Sequence, residues 1–344
     1  MKSNKWFKIW FISIFILSSL VFTLNLIVDP YSLTSKNLLH IPNKFTGDDR
    51  TEKVTNLLTH DSYDNILFGS SRVYSINPLM LSKYVGGTTY NTGVGTARME
   101  DHLGFLLLLQ RNKKLPKKII LGLDFYTFNP KLKPNSYFLK NSDLNFLHGT
   151  TENSLYLNKF FSIDATIASI KTLNNFILSP SQKPRFDQFG AAHNASDNFN
   201  YYPKAQKQQV FSDKRLLNDL NFIRSEQYQV LSETRFQYLN KFITICDDNN
   251  ITLKIFTTPL AGGLLAKINS DTQLNNMLNL FKIKLQKTTS YNDFLTHNKI
   301  INTPVFFNNP THTKTTTGNL MLAKLYDDEK ISLPQDFGIQ RLKP

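Results

Sequence analysis

The stretch that decides the fold is "NILFGSSRVYSINP", residues 65–78. Ile66, Leu67 and Phe68 form a short apolar run of the kind that makes a buried strand. Gly69 ends this run, and two serines and an arginine follow directly. A serine at the end of a strand lies at the ligand-binding edge of an α/β sheet, where backbone N–H groups can face developing negative charge. The stretch therefore predicts a strand followed by a functional turn.

A second stretch with the same arrangement lies near the other end of the chain, "FFNNPTHTKTTTGNLML", residues 306–322. It predicts a strand, a polar turn that carries His312, and then a glycine and an apolar helix. An early serine and a late histidine, each directly after a strand, are typical of a serine hydrolase built on a parallel sheet. One residue departs from that pattern, because Asn309 stands three residues before the histidine, where an acid would be expected.

Strands and helices alternate through much of the chain. The predicted strands cover residues 65–68, 88–93, 119–123 and 251–257, and the predicted helices cover residues 76–85, 96–114, 232–249 and 275–287. This alternation implies parallel βαβ units, and so an α/β fold: a three-layer sandwich with a mainly parallel, flavodoxin-like sheet. Ser71, Gly93, Asp124 and His312 all follow predicted strands, so we expect them to gather at one edge of the sheet.

The chain of 344 residues divides by composition into several segments. Residues 1–8 are a cytoplasmic stub, 9–28 a transmembrane helix, 29–61 a polar stalk, and 62–344 the α/β domain. Residues from about 131 to 213 break the alternation and are predicted to be an insertion that caps the active face.

Residues 9–28 are an uncharged apolar run, and about 20 such residues cross a hydrocarbon core. Lys2, Lys5 and Lys8 precede the run, so the positive-inside rule places the N-terminus in the cytoplasm and the main domain outside. The alternative is a cleaved signal peptide, whose apolar core is usually about 7–15 residues long. The run is longer than that, and "NLIVDPY" offers no small-x-small cleavage site. A buried soluble helix fits less well, because aromatic residues cluster over positions 6–11, as in an interfacial belt.

Composition narrows the partners and cofactors. The net charge is +14, but the basic residues are scattered and form no dense block. This charge favours anionic envelope polymers or a membrane surface, and nucleic acid is not expected as a partner. Cys246 is the single cysteine, which excludes an intramolecular disulfide. No metal-ligand spacing stands out, so neither a metal nor another cofactor is expected.

Three motifs carry a family resemblance. "FGSSR" resembles the first block of the SGNH (GDSL-like) hydrolases, which implies that Ser71 is the nucleophile and that Ser70 replaces the family's aspartate. "YNTGVGTA" resembles the second block, which implies that the N–H groups of Gly93 and Ser71 form the oxyanion hole. "NNPTHTKTTTGNLML" resembles the last block, Asp-x-x-His, which implies that His312 is the general base with Asn309 beside it.

The "GSS" form, together with a membrane anchor, is similar to the envelope branch of this superfamily. That branch includes proteins of teichoic-acid D-alanylation and exopolysaccharide O-acetylation. The resemblance implies a membrane-anchored, outward-facing acyl esterase or O-acyltransferase acting on an envelope glycan. The partners it implies are the glycan or acyl donor, the membrane and an acyl-carrying membrane protein. The alternative is a catalytically impaired SGNH-like protein that binds glycan or a membrane partner.

Two departures support that alternative. In serine proteases the exchange of the triad aspartate for asparagine costs about 10⁴ in turnover, because it favours the wrong imidazole tautomer. Some SGNH-like members, however, work as Ser–His dyads, so Asn309 does not by itself exclude activity. The family's oxyanion asparagine also has no match in "LGLDFYTFN", where Asp124 stands instead and Asn129 is a distant substitute. An ionised carboxylate there would repel a developing oxyanion.

Each candidate residue also has a structural reading. Ser70 and Ser71 can cap the helix that follows the strand, and Gly93 can serve a tight turn alone. Arg72 is either a solvated charge or the partner of Asp124, and we expect the pair at the edge of the site. The hydrolase reading makes a geometric prediction: Ser71 Oγ lies within hydrogen-bond reach of an imidazole nitrogen of His312, with Asn309 next to the ring.

Overall fold

The computed structural model describes residues 2–30, 38–39, 41, 49–141, 143–148, 160–178, 186–192, 199–203, 210–225 and 227–344. Its contacts divide the chain into two compact units. The smaller unit comprises residues 1–60 and 146–185, and its described elements are helical. The larger unit comprises residues 61–145 and 186–344 and contains every described strand.

The helices are α1 Lys2–Val28, α2 Asp49–Thr59, α3 Pro78–Val85, α4 Met99–Arg111, α5 Ser136–Lys140, α6 Ile163–Leu178, α7 Asp213–Arg224, α8 Glu233–Asp248, α9 Gly262–Ser270, α10 Thr272–Thr288 and α11 Thr315–Leu325. The strands are β1 Asn65–Phe68, β2 Thr89–Asn91, β3 Lys118–Leu123, β4 Thr252–Thr257, β5 Tyr291–Asp293, β6 Phe307–Asn309, β7 His312–Thr313 and β8 Ile339–Arg341. Short 3₁₀ helices cover Ser71–Ser75, Phe125–Phe128, Phe146–His148 and Pro304–Phe306.

The larger unit is built on a six-stranded sheet in the order β2-β1-β3-β4-β5-β8. Strands β1 to β5 pair in parallel, and β8 joins the edge antiparallel to β5. The predicted α/β class with a mainly parallel sheet is confirmed, as are the four predicted strands to within a few residues. From β1 the chain first builds outward to β2 and then in the opposite direction through β3, so the strand order reverses between β1 and β3. Ligands of such sheets bind at this reversal, beyond the carboxyl ends of the strands.

The segment before His312 differs from the prediction. We predicted that the histidine follows a strand of the parallel sheet, and this is wrong: β6 pairs antiparallel with β7 in a separate two-stranded ribbon. Pro310 lies in the turn between these strands, and His312 is the first residue of β7. The sequence prediction also missed β5 and β8, which at three residues each are too short to show a period.

Other predictions lie in the smaller unit. The predicted insertion, residues 131–213, contains α6 in this unit, and its residues 149–159 and 179–185 lie outside the described residues. The predicted stalk, residues 29–61, contains α2, in which Asp49, Arg50 and Lys53 are buried. Residues Lys5–Val28 of α1 are long and apolar enough to span a membrane, with a mean hydropathy of 2.4, and few of them are buried.

Val73 holds the turn after β1 against the sheet. A Cβ added at Gly69, Gly93 or Gly122 would lie 2.3, 2.6 or 2.9 Å from a methyl carbon of Val73. These are distances that real Cβ atoms do not adopt, so the valine fits only because all three positions are glycine. The 3₁₀ turn Ser71–Ser75 is thereby seated on the strand ends, which fixes where Ser71 stands.

Candidate active site

The turn after β1 brings Ser71 to His312. Ser71 Oγ lies 2.9 Å from His312 Nε2, and both residues are half-buried, within reach of a ligand. The neighbouring Ser70 is buried, and its Oγ accepts a hydrogen bond of 3.2 Å from the Arg72 N–H. Ser70 therefore caps the 3₁₀ turn, while the hydroxyl of Ser71 faces the imidazole. The predicted hydrogen-bond geometry between Ser71 and His312 is present.

Two contacts bind the histidine ribbon to the serine turn. Ser75 Oγ lies 2.7 Å from Thr313 Oγ1, which joins the end of the turn to β7. A Cβ added at Gly318 of α11 would lie only 2.5 Å from the backbone oxygen of Ser75. The glycine after the histidine thus lets α11 approach the serine turn closely. These contacts place His312 beside Ser71 although the ribbon is not part of the main sheet.

Asn309 contacts the imidazole through its oxygen. Asn309 Oδ1 lies 3.0 Å from His312 Nδ1, and the same oxygen accepts the Thr311 N–H at 3.0 Å. A backbone N–H can only donate, so the atom it points at is the amide oxygen and not the nitrogen. An amide oxygen only accepts hydrogen bonds, so His312 Nδ1 carries the ring proton that Asn309 Oδ1 accepts. His312 Nε2 is then free to accept the proton of Ser71. Although Asn309 stands where the SGNH pattern has aspartate, it therefore holds His312 in the Nδ1-protonated tautomer that a nucleophilic serine needs.

Thr311 adds a second constraint on this oxygen. Its hydroxyl donates to Asn309 Oδ1 at 2.9 Å and lies 3.0 Å from His312 Nδ1, so it can also accept the ring proton. Sequence reasoning missed this residue. The sequence did carry a signal for it, because an asparagine side chain commonly accepts the backbone N–H two residues later, as Asn309 accepts that of Thr311. Asn309 lacks the charge of an aspartate, however, and so does not stabilise an imidazolium as a carboxylate does.

The environment of His312 keeps it neutral. Burial, and after it the positive charge of the nearby Arg72 guanidinium, lower the pKa of His312 to about 4. Asp124, and Asp219 of α7, act in the opposite direction. The neutral imidazole is therefore the dominant form at any pH above about 4. A neutral imidazole is the form that accepts a proton from a serine.

Arg72 and Asp124 form a buried pair at the point where the strand order reverses. Arg72 Nη1 lies 3.6 Å from Asp124 Oδ1, and both side chains are almost fully buried. The guanidinium lies over the ring of Tyr126, 4.6 Å from its centre, and Thr258 donates a hydrogen bond to Asp124 Oδ1. The predicted ion pair between Arg72 and Asp124 is present. Tyr126 and Thr258 were missed, since no local signal in the sequence links them to residues after β1.

Gly93 and Asn129, the candidates for oxyanion stabilisation besides Ser71, already make hydrogen bonds within the protein. The Gly93 N–H donates to Asn91 Oδ1 at 2.8 Å, and Asn91 Nδ2 in turn donates to the backbone oxygen of Val73 at 2.9 Å. Asn129 donates to the Ser225 carbonyl at 2.7 Å and accepts the Lys131 N–H at 3.0 Å. Gly93 therefore lies beside the serine turn with its N–H already bonded, and the Asn129 amide serves its own loop.

No metal centre competes with this site among the residues that the structure describes, since no three His, Cys, Asp or Glu side chains there are placed to hold an ion. Comparison with protein-family models and with curated proteins finds no match to this chain. The SGNH resemblance therefore rests on the three motifs quoted above.

Proposed function

We propose that this protein is a membrane-anchored, outward-facing SGNH-like acyl esterase or O-acyltransferase that acts on an envelope glycan. The observation that supports this most is the arrangement Ser71 Oγ, His312 Nε2 and, at the far ring nitrogen, Asn309 Oδ1. A nucleophile, a base and a group that orients the base are the arrangement typical of covalent acyl transfer by a serine.

The proposed chemistry has two steps. Ser71 Oγ attacks the acyl carbonyl while its proton moves to His312 Nε2, and the leaving alcohol takes that proton as its bond to the acyl carbon breaks. The acyl group then remains as an ester on Ser71. In the second step water or a glycan hydroxyl attacks the ester carbonyl while its proton moves to the same nitrogen, and that proton passes to Ser71 Oγ as the bond from Oγ to the acyl carbon breaks. Hydrolysis and transfer differ only in which of these two acceptors reaches the acyl-serine.

Oxyanion stabilisation in this proposal comes from the N–H groups of Ser71 and Gly93. Because the Gly93 N–H is bonded to Asn91 Oδ1, it serves an oxyanion only by leaving or sharing that acceptor. Arg72 supplies positive charge close to the site, which is the charge that also depresses the pKa of His312. Its pairing with Asp124 fixes the guanidinium in place, and so offsets the repulsion that a lone carboxylate would exert.

We also propose that the α/β domain is a three-layer sandwich, with helices on both faces of the sheet. Neighbouring residues of a strand point to opposite faces of a sheet. Phe68 of β1 has its ring 5.3 Å from that of Phe242 in α8, whereas Leu67 belongs to a core cluster with Met80 of α3 and Leu320 of α11. Helices on both faces of β1 support this layering.

The proposed localisation is a single-pass anchor with the N-terminus in the cytoplasm. It is supported by the length and apolarity of residues Lys5–Val28 and by the lysines that precede and begin this stretch. Alkaline phosphatase fused after Pro344 should be active in intact cells, because that enzyme folds only outside the cytoplasm. An inactive phosphatase fusion, together with activity of a reporter that works only in the cytoplasm when it is fused at the same position, would refute this orientation.

Acylation of the serine tests the proposed chemistry directly. An activated ester such as p-nitrophenyl acetate should leave an acetyl group on Ser71, detected by mass spectrometry of the intact chain and of the peptide that carries it. Ser71→Ala should abolish the adduct. Ser70→Ala is the matched control and should keep most of it, because Ser70 is buried and serves as a cap. A thermal melt of both variants checks that each remains folded.

A second candidate function is a catalytically impaired SGNH-like protein that binds glycan or a membrane partner. It is favoured by the bonded Gly93 N–H and by the carboxylate of Asp124 where the family has an oxyanion asparagine. The same labelling experiment decides between the two. No adduct in either the native protein or Asn309→Asp would favour the binding protein.

A further inference from the structure

Asn25 near the end of α1 is satisfied entirely by the α6 segment. Its Nδ2 donates to the Phe160 carbonyl at 2.7 Å and to Thr166 Oγ1 at 3.0 Å. Its Oδ1 accepts from Ser169 Oγ at 2.8 Å, and the residue is fully buried. An amide in an apolar helix is costly unless its groups are hydrogen-bonded. The contacts therefore fix α6 at the level of the last turns of α1.

The depth of this contact follows from helix geometry. A helix rises about 1.5 Å per residue, so Asn25 lies about 4.5 Å and Phe22 about 9 Å before Val28, where the apolar stretch ends. The ring of Phe22 is 5.8 Å from that of Phe160 and 4.9 Å from that of Phe161. If α1 spans a membrane, the start of α6 lies within the boundary of the hydrocarbon layer.

Successive residues of a helix are turned by about 100°, which gives α6 three distinct faces. The face against α1 is made of small buried residues: Ala165, Ala168, Ser169 and Thr172. The opposite face is exposed and, apart from Asn174, apolar: Ile163 78%, Ile167 46%, Ile170 55%, Ile177 72% and Leu178 71%. A polar flank between them carries Asp164, Lys171 and Asn175.

We propose that α6 is a second membrane-contacting element, which lies in the lipid interface with its isoleucine face among the acyl chains and its polar flank toward the headgroups. This inference rests on the proposed membrane anchor. A large exposed apolar face is unfavourable in water, whereas a helix with one apolar and one polar side is stable at a membrane surface. The occupant is identified as lipid because α6 packs on α1, whose apolar side chains are themselves exposed, at the depth that the Asn25 contacts set.

Single cysteines carrying an environment-sensitive fluorophore test this proposal in the full chain, reconstituted in phosphatidylcholine nanodiscs. Cys246 does not compete for the label, because it is buried and burial raises the pKa of its thiol to about 12. Ile170→Cys and Ile177→Cys place the label on the apolar face of α6. Asn175→Cys is the matched control on the polar flank, and Phe15→Cys, at an exposed position of α1, reports the anchor itself.

A nitroxide-labelled phospholipid should quench the labels at residues 170 and 177 by about half or more of the loss seen at residue 15, since interfacial helices lie about 5–10 Å into the boundary. Aqueous iodide should quench the label at residue 175 instead. Quenching at residue 15 with iodide access at 170 and 177 would overturn the proposal and leave that face to a protein partner. Loss of lipid quenching at residue 15 as well would instead refute the anchor.

Discussion

The two sides of Ser71 differ in a way that the sequence motifs do not show. On the histidine side the motif departs from the family pattern, yet Asn309 still presents an oxygen to the ring proton and Ser71 meets Nε2 at 2.9 Å. On the oxyanion side Gly93 matches the motif, yet its N–H is already bonded to Asn91 Oδ1. A substituted residue thus keeps its geometric role, while a matched residue has its functional group occupied.

The difference shows what decides a catalytic role. Thr311 fixes the orientation of the Asn309 amide, and Asn91 fixes the backbone of Gly93. In both cases a neighbour within the same motif, to which the resemblance assigns no catalytic role, determines which atom faces the site. Hydrogen-bond partners, and not residue identity alone, therefore set what each side of Ser71 can do.

Removal of the base should have the largest effect. His312→Gln should slow acylation of Ser71 by about 10²–10⁴-fold, the usual contribution of general-base catalysis. The rate of acetyl-enzyme formation at pH 7 is measured by mass spectrometry of samples quenched at successive times. His297→Gln is the control, because His297 is exposed and bonds to Asn302 away from Ser71. Equal rates in the native protein and His312→Gln would show that the 2.9 Å contact has no chemical role.

An aspartate at position 309 should increase the acylation rate and change its dependence on pH. Since the pKa of His312 is lowered to about 4, the acylation rate of the native protein should fall only as the pH drops through about 4. Asn309→Asp should raise the pKa of His312, move this acid limb upward and increase the rate at neutral pH, because a carboxylate stabilises the imidazolium formed in attack.

Asn308→Asp is the control for that variant, since it adds the same charge one residue away, at an exposed position. A rate that falls in Asn309→Asp would show that Asn309 does not serve as the orienting group.

The protonation of His312 also affects the stability of the fold. The unfolded chain takes up a proton on this histidine near pH 6.5 and the folded chain only near 4, so acidification between these values destabilises the fold.

The smallest effect on rate is expected on the oxyanion side. Asn91→Ala should release the Gly93 N–H and raise the acylation rate a few-fold, while the loss of the bond to Val73 lowers the free energy of unfolding by about 1–3 kcal/mol. Rate and denaturant unfolding are measured on the same samples. Asn65→Ala, a buried asparagine of β1 that bonds to the Gly86 carbonyl, should lower stability without a gain in rate. A slower Asn91→Ala would indicate that Asn91 holds Gly93 where catalysis needs it.

The sequence by itself determined the α/β class and four of the parallel strands, whereas the pairing of Ser71 with His312 was implied by the motif resemblance. The class and the strands follow from local signals: apolar runs of strand length, glycines at their ends and helices between them. The carboxyl ends of parallel strands meet at one edge, which is why Ser71 and Asp124 could be placed together from spacing alone. The apolar length of α1 was equally readable, because composition decides it.

Only the tertiary structure decided which atoms face the site. The Asn309 oxygen is oriented by Thr311, the Gly93 N–H is taken by Asn91, and Arg72 is held between Asp124 and Tyr126. A strand before His312 was predicted, but its antiparallel pairing with β7 in a separate ribbon was not, since a strand of two residues shows no period. A hydrogen bond depends on atoms that approach to within about 3 Å across the fold, and residue spacing along the chain does not encode that approach.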